Sequence, residues 1–582
     1  MLHNPEGLFS FYQKTKTVYL YFYFKIKLSQ YRETISGKIQ RGTEEHTIKK
    51  KRRVVMKKFL FNMLKYGLVY LLLFVLIWWG MRAYDSWHTP LQPWHTYVPE
   101  ELSVEELDKA DLNRYLEVEE QLFEKVRTQV TDKLTADEKE LSNRFYSGAP
   151  IYPPHFKENW NRSYVIHPKG KIKGAVILLH GLTDAPYSLR HIAHRYAQNG
   201  YTALGLRLPG HGTVPAGLTD ATWEDWMAAT RLAVRSAREF ASKGKPIHIV
   251  GFSNGGALAM KYALDALEDK TLPQVDRVML ISPMVGITRF ARFAGIAAVP
   301  AHFPAFERSA WLSVLPEFNP FKYNSFPVNG AVQSWRLTRV LQSQIRKMGR
   351  TDYLKELPPV VTFQSTIDHT VSTPAIVYGL YAHLPSNESE LILFDVNQVS
   401  LFSPLMRSVS RSVVENILPP SPRLYSVAVI GNRTQNDVET ALFTTPAGAT
   451  QTRSKDLGIR YPRDIFSLSH VSIPFPMDDE LYGMTPKPWS YKMFGVNLGN
   501  IAVRGEQGAL MVNLDSLFRT TSNPFFGLLL EKVDQAIADP APLRRLDKNT
   551  IQKPELIDDG FWKKEEQKFM QEAEQYEGEV TP

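Results

Sequence analysis

From about Tyr164 onward, short, largely apolar runs alternate with longer stretches of helical period. Residues 175–179 read AVILL, the continuous apolar run expected of a strand buried on both faces. Residues 201–208, 247–250, 278–282, 360–365 and 391–395 repeat that pattern. Between them lie helix candidates, including SLRHIAHRYAQNG closed by Gly200 and the amphipathic stretch 221–242. This alternation predicts a mostly parallel sheet with helices on both faces.

The pattern differs at the N-terminal end. Residues 59–81 read FLFNMLKYGLVYLLLFVLIWWGM, uncharged from Tyr66 onward and close to the roughly twenty residues a bilayer requires. Lys49, Lys50, Lys51, Arg52, Arg53, Lys57 and Lys58 precede it, and Trp78 and Trp79 stand where a helix would leave the hydrocarbon. The stretch predicts a single-pass signal anchor with a cytoplasmic N-terminus. The remaining chain would then lie across the membrane, facing the periplasm if the source is a Gram-negative bacterium. A cleaved signal peptide is the alternative, but Arg82-Ala83-Tyr84-Asp85 offers no small-x-small site. A buried core helix would need a polar face that the stretch lacks. Residues 1–58 form a basic segment without amphipathic period, and translation is expected to begin at Met56.

Residues 82–150 read as a linker, with one or two solvated helices between 96 and 141, and a lid role stays open. One domain of alternating strands and helices is expected over 151–530, interrupted twice. Residues 286–357 are helix-forming and carry Phe290, Phe293, Phe303, Phe306, Trp311, Phe318, Phe321 and Trp335. Residues 397–465 form an insertion with strand candidates at 424–430 and 438–444. Residues 531–582 form a charged tail.

Composition narrows the chemistry. The 582 residues include no cysteine, which removes disulfides, thiolate metal sites and a cysteine nucleophile. The net charge of +9 could suggest nucleic-acid binding. However, the first sixty residues hold about fourteen Lys and Arg against four Asp and Glu, so the rest is close to neutral. The basic charge is a local flank, and no nucleic-acid partner is expected.

The third apolar run leads directly into Gly251-Phe252-Ser253-Asn254-Gly255-Gly256, a G-x-S-x-G motif followed by a small-residue helix candidate. A serine in such a strand-to-helix turn has strained backbone, and its neighbours two positions away must be small. The helix N-terminus then directs amides and a positive dipole end at the hydroxyl. A structural turn serine is the competing reading.

His180-Gly181-Leu182, the RLPGHG of 207–212 and the GFSNGG of 251–256 together resemble the α/β-hydrolase superfamily, most of all its monoacylglycerol-lipase and carboxylesterase branch. The resemblance covers about residues 160–480 and implies an α/β-hydrolase fold with a helical cap at about 286–357 over an apolar substrate site. It also implies chain order nucleophile, acid, histidine. Ser253 is then the nucleophile. Asp368 is the acid, in an Asp-x-x-Val loop after 360–365, with Asp395 as the runner-up. Three histidines follow Asp368. His369 adjoins the acid, His383 falls in a helix candidate, and His470 occupies a loop, which makes it the expected base. The spacing before His470 is longer than the family's usual one. The backbone amides of Leu182 and Asn254 are the implied oxyanion donors. His180 and His211 are expected to hold loops.

No metal-ligand spacing is recognisable, and no cofactor is expected. The leading functional expectation is ester hydrolysis, with monoacylglycerol-like lipids among the substrates. Acyl transfer or peptide hydrolysis by the same residues is the second, and a non-catalytic membrane-tethered scaffold the third. Oligomeric state is left open.

Overall fold

The computed structural model describes residues 90–286, 304–351, 353–405, 413–488, 493–500 and 519–538, with scattered positions between 61 and 77. The chain divides into two units, Met1–Tyr84 and Asp85–Pro582. In the first, the described positions from 61 to 77 are helical. Among the described residues no helix is long and apolar enough to cross a membrane. The anchor expected at 59–81 falls largely outside those residues, as do 1–58 and most of the tail.

The second unit is built on a ten-stranded sheet. Its strands are β1 (Tyr164–Ile166), β2 (Gly174–Leu179), β3 (Tyr201–Leu206), β4 (Ile247–Phe252), β5 (Arg277–Ile281), β8 (Val360–Ser365), β9 (Glu390–Phe394), β10 (Ser426–Asn432), β11 (Glu439–Thr445) and β12 (Arg453–Arg460). A separate two-stranded ribbon pairs β6 (Trp311–Ser313) with β7 (Phe326–Pro327). The sheet order is β1-β3-β2-β4-β5-β8-β9-β10-β11-β12. The strands from β3 across to β10 run parallel, while β1, β11 and β12 join antiparallel. Because β2 lies between β3 and β4, the chain reverses its direction of travel across the sheet there. Such a switch point opens a crevice at the carboxyl ends of the strands.

Alternate side chains of β2 serve opposite faces. Ala175, Ile177 and Leu179 join one core, and Val176 and Leu178 the other. Every residue of β2, β3 and β4 is buried, which is why these strands read as largely apolar runs. The first core is covered by α4 (Trp223–Ala241), α5 (Asn254–Glu268), α6 (Val328–Gly349) and α7 (Thr373–Gly379), and the second by α3 (Arg190–Gln198) and α8 (Phe526–Ala538).

Three expectations need revision. The supposed solvated linker packs onto the domain: Leu107 of α1 (Val104–Lys109) and Leu112 and Tyr115 of α2 (Leu112–Gln129) are buried in the first core. Glu101 and Glu119 pair with Arg207, whose side chain is fully buried. Charged residues around a few buried apolar ones gave α2 its solvated appearance. The charged tail also begins later than 531. Helix α8 runs to Ala538, buries Leu529 and Val533, and pairs Asp534 with Arg195 and Lys532 with Glu390. Finally, the insertion at 397–465 extends the sheet by three strands, where two were expected. β12 escapes sequence reading because it is an exposed edge strand, RSKDLGIR, with no apolar alternation.

Candidate active site

Ser253 stands between the last residue of β4 and the first of α5, with φ 55° and ψ −116°. That left-handed backbone costs a non-glycine residue free energy, so it persists only where packing enforces it. The flanking glycines show the enforcement. A methyl on Gly251 would lie 2.2 Å from the Gly255 carbonyl oxygen, and one on Gly255 would lie 2.0 Å from that of Leu179. The Ser253 amide donates to the Ile281 carbonyl at 2.9 Å, and its carbonyl accepts from Met284 N–H at 2.9 Å. The serine is thus fixed to the next parallel strand.

His470 Nε2 lies 2.9 Å from Ser253 Oγ, and Nδ1 lies 3.0 Å from Asp368 Oδ2. The tautomer that satisfies both contacts carries its proton on Nδ1 and accepts from the serine hydroxyl. Asp368 accepts three further hydrogen bonds, from the Thr370 and Val371 amides and from Gln364 Nε2. Burial raises its carboxyl, but the His470 contact and these amides outweigh it and hold the group below the usual range. The Phe252 ring stacks against His470 with centroids 5.5 Å apart.

The histidine loop is fastened on both sides. Ser365 Oγ donates to the Leu468 carbonyl at 2.8 Å, and Ser469 Oγ donates to the Thr520 carbonyl. Asp395, the runner-up acid, instead accepts from Thr366 Oγ at 3.3 Å, and burial pushes its carboxyl up to about 6. His369 is exposed, and His383 sits in a short turn against Gly349 at the end of α6.

Leu182 and Asn254, whose amides are the expected oxyanion donors, lie next to Ser253 in the fold. A methyl on Gly181 would lie 3.2 Å from Ser253 Cβ, so the turn that carries Leu182 abuts the serine. Asn254 opens α5, where first-turn amides have no intrahelical partner. Helix α6 covers both residues: Ser334 Oγ donates to Asn254 Oδ1 at 3.3 Å, and Leu182 packs near Gly330.

The two motif histidines hold loops. His180 Nε2 accepts from the Leu208 amide at 3.0 Å, which leaves Nδ1 to donate to the Gly181 carbonyl at 2.9 Å. His180 is therefore neutral, and its burial lowers its pKa. His211 Nδ1 contacts the Pro209 carbonyl at 3.0 Å. Among the described residues one group has metal-ligand geometry, His191, Asp479 and Glu480. The Arg190 guanidinium already occupies it, with Nη2 2.8 Å from Asp479 Oδ2. A cation is thus supplied by the chain itself.

Sequence reading did not single out Gln364, Ser365 or Phe252 as supports of the acid and the histidine. Nor did it identify Glu101 and Glu119, which clamp the RLPGHG loop through Arg207. A polar pair closing an apolar strand, Gln364-Ser365, was the available signal.

A family model described as serine aminopeptidase, S33 matches residues 170–395. The chain is 27% identical over 218 residues to a thermostable monoacylglycerol lipase of Bacillus sp. (strain H-257), covering 37% of this chain and 79% of that protein. It is 24% identical over 208 residues to a carboxylesterase of Bacillus subtilis (strain 168), covering 35% of this chain and 77% of that one. Similar solved structures include a metagenome-derived lipolytic enzyme (21% identity, TM-score 0.33, 44% of this chain and 97% of that one). Another is a soluble variant of monoglyceride lipase from Saccharomyces cerevisiae (16% identity, TM-score 0.33, 44% of this chain and 88% of that one).

Proposed function

We infer that this chain, a member of the α/β-hydrolase superfamily, cleaves carboxylic esters through an acyl-enzyme on Ser253. The observation that carries the reading is the hydrogen-bonded line from Asp368 through His470 to Ser253 Oγ. A serine hydroxyl is a weak nucleophile at neutral pH and needs an oriented base within reach. Here the base is 2.9 Å away and its far nitrogen rests on a buried carboxylate.

In the mechanism, Ser253 Oγ attacks the ester carbonyl carbon as His470 Nε2 takes its proton. Asp368 keeps the proton on Nδ1 and stabilises the imidazolium that forms. The Leu182 and Asn254 amides bind the oxygen that acquires charge. The tetrahedral species collapses, and His470 protonates the departing alcohol. Water, deprotonated by His470, then attacks the acyl carbonyl and returns Ser253 to its hydroxyl form.

The substrate class is an acyl ester with an apolar chain, of the monoacylglycerol kind. The names of the two bacterial relatives support that choice, as does the apolar cover of α6 over Leu182. The first fifty-eight residues and the apolar stretch 59–81 support anchorage in a membrane with the catalytic domain on the far side.

The test is a series of 4-nitrophenyl esters of increasing chain length, together with monoacylglycerol and an amino-acid 4-nitroanilide. Cleavage of the esters, abolished in Ser253→Ala, is expected. Turnover of the anilide alone would replace the reading with a peptidase one. Resistance to alkaline carbonate extraction, lost on deleting residues 59–81, tests the anchor.

A further inference from the structure

One buried carboxylate ties together the segments that follow the Leu182 turn and His470. Asp479 lies in the run of turns after His470, and its side chain is buried. Its Oδ1 accepts from the Tyr187 hydroxyl at 3.0 Å and from the Leu481 and Tyr482 amides at 2.9 and 2.7 Å. Its Oδ2 accepts from Arg190 Nη2 at 2.8 Å and from His191 Nε2 at 2.9 Å. The Arg190 guanidinium also lies over the Tyr187 ring, 3.7 Å from its centroid. Tyr187, Arg190 and His191 all come shortly after the Leu182 turn in the chain.

Neither connection has slack. Between Gly181 and Arg190 the chain is a run of turns, with the Asp184 amide on the Gly181 carbonyl at 3.3 Å and the Ser188 amide on that of Ala185 at 3.2 Å. Between Ser469 and Asp479 it is another, in which the Ser472, Phe475 and Asp479 amides donate to the Ser469, Ser472 and Pro476 carbonyls at 3.2, 3.1 and 3.1 Å. The 319–323 segment joins the same network: the Tyr323 amide donates to the Thr183 carbonyl at 2.8 Å, and Asn319 Nδ2 donates to the Tyr482 hydroxyl at 2.8 Å. Tyr187, Phe321, Phe475 and Tyr482 already pack there as an apolar cluster. Burying a carboxylate among them costs desolvation, which its five donors offset. What those contacts add to apolar packing is direction.

We propose that Asp479 is a positioning residue for ester cleavage, acting through Tyr187 and Arg190 to hold the Leu182 turn in register with the His470 loop. The inference rests on the ester-hydrolase reading and adds to it a residue outside the line from Asp368 to Ser253. Asp479 touches no reacting atom. Its role is to keep the oxyanion-binding amide of Leu182 where the charged oxygen will stand when His470 takes the Ser253 proton. An oxyanion donor is effective only at that place, and a shift of about 1 Å can cost about a hundredfold in rate.

The experiment compares the wild-type full chain with Asp479→Asn and Tyr187→Phe, using 4-nitrophenyl butyrate and active sites counted by fluorophosphonate uptake. It also measures the affinity of a propyl trifluoromethyl ketone, whose adduct with Ser253 places an oxyanion at the same amides. The expected result is a kcat lower by about tenfold in Asp479→Asn and about threefold in Tyr187→Phe, with KM little changed. Ketone affinity should weaken by the same factors as kcat/KM, because both report the oxyanion. Should Asp479→Asn not fold, Tyr187→Phe, which keeps the ring and loses only the hydroxyl, decides alone. Asp534→Asn is the control: it breaks the ion pair with Arg195 on α3, and should lower the melting temperature while leaving kcat unchanged. Unchanged kcat and ketone affinity in the folded variants overturn the proposal and leave ester hydrolysis standing. So does a fall in kcat without a fall in ketone affinity, or an equal fall in Asp534→Asn. A wild-type protein that cleaves no ester and takes up no fluorophosphonate overturns both.

Discussion

His470 Nε2 rests 2.9 Å from Ser253 Oγ, although 217 positions separate the two residues in the chain. The serine is set by a local turn. The histidine arrives on a loop tied to β8 through Ser365 and to the 520 region through Ser469. The first prediction follows from that difference. Ser253→Ala and His470→Ala should each lower kcat for an aryl ester by a thousandfold or more and abolish fluorophosphonate labelling, with unfolding midpoints little changed.

The two candidate acids should separate cleanly. Asp368→Asn removes the charge that holds the His470 tautomer, and kcat should fall by about a thousandfold or more. Asp395→Asn should keep activity. Burial raises the Asp395 carboxyl to about 6, so its ionised form opposes folding at neutral pH. Its contribution to stability is full below the unfolded pKa and is lost as pH rises through the folded one. The substitution should therefore stabilise the protein at pH 7.5, by on the order of 1–3 kcal/mol. Urea unfolding at pH 4 and 7.5 checks the sign, since the gain should shrink at the lower pH.

Stability should fall in mild acid for a separate reason. Burial lowers His95 to about 3, His211 to about 4 and His248 to about 3. Each stays neutral in the folded chain while the unfolded chain takes up a proton below about 6.5. Stability is fully present above that value and declines as pH falls, by up to about 1.4 kcal/mol per unit for each histidine, until the folded pKa is reached. His248 contacts the Tyr196 hydroxyl at 3.1 Å, and its replacement by glutamine should reduce the slope of the melting temperature between pH 6.5 and 4.

The N-terminal helices should prove inseparable from the domain. Glu101 holds Arg207 through two contacts of 2.7 and 2.8 Å and also accepts from the Gly210 amide. Glu101→Gln weakens the compensation of a buried guanidinium, and breaking such a pair costs about 3–5 kcal/mol. A chain starting after residue 130 should be insoluble, and thermal melts of Glu101→Gln should show the loss directly.

The glycines of the elbow permit a stringent check. Gly255→Ala would drive a methyl to 2.0 Å from the Leu179 carbonyl oxygen, where backbone on both sides leaves no room to yield. Soluble expression should collapse. Gly527→Ala, in open space on α8, should be neutral or slightly stabilising.

What the chain alone determined is the part governed by local physics. Strands buried on both faces must be largely apolar, so β2 to β5, β8 and β9 were legible within a residue or two. A strained turn between strand and helix tolerates few residues at its flanks, so Ser253 stood out. Tertiary packing decided the rest. Glu119 looks like any solvated helix position until α2 docks and finds Arg207. β12 carries no apolar code because a sheet edge needs only backbone partners. Ser365 reads as the polar end of a strand, and only the folded chain brings its hydroxyl to the Leu468 carbonyl beside His470, since that contact joins residues distant in sequence.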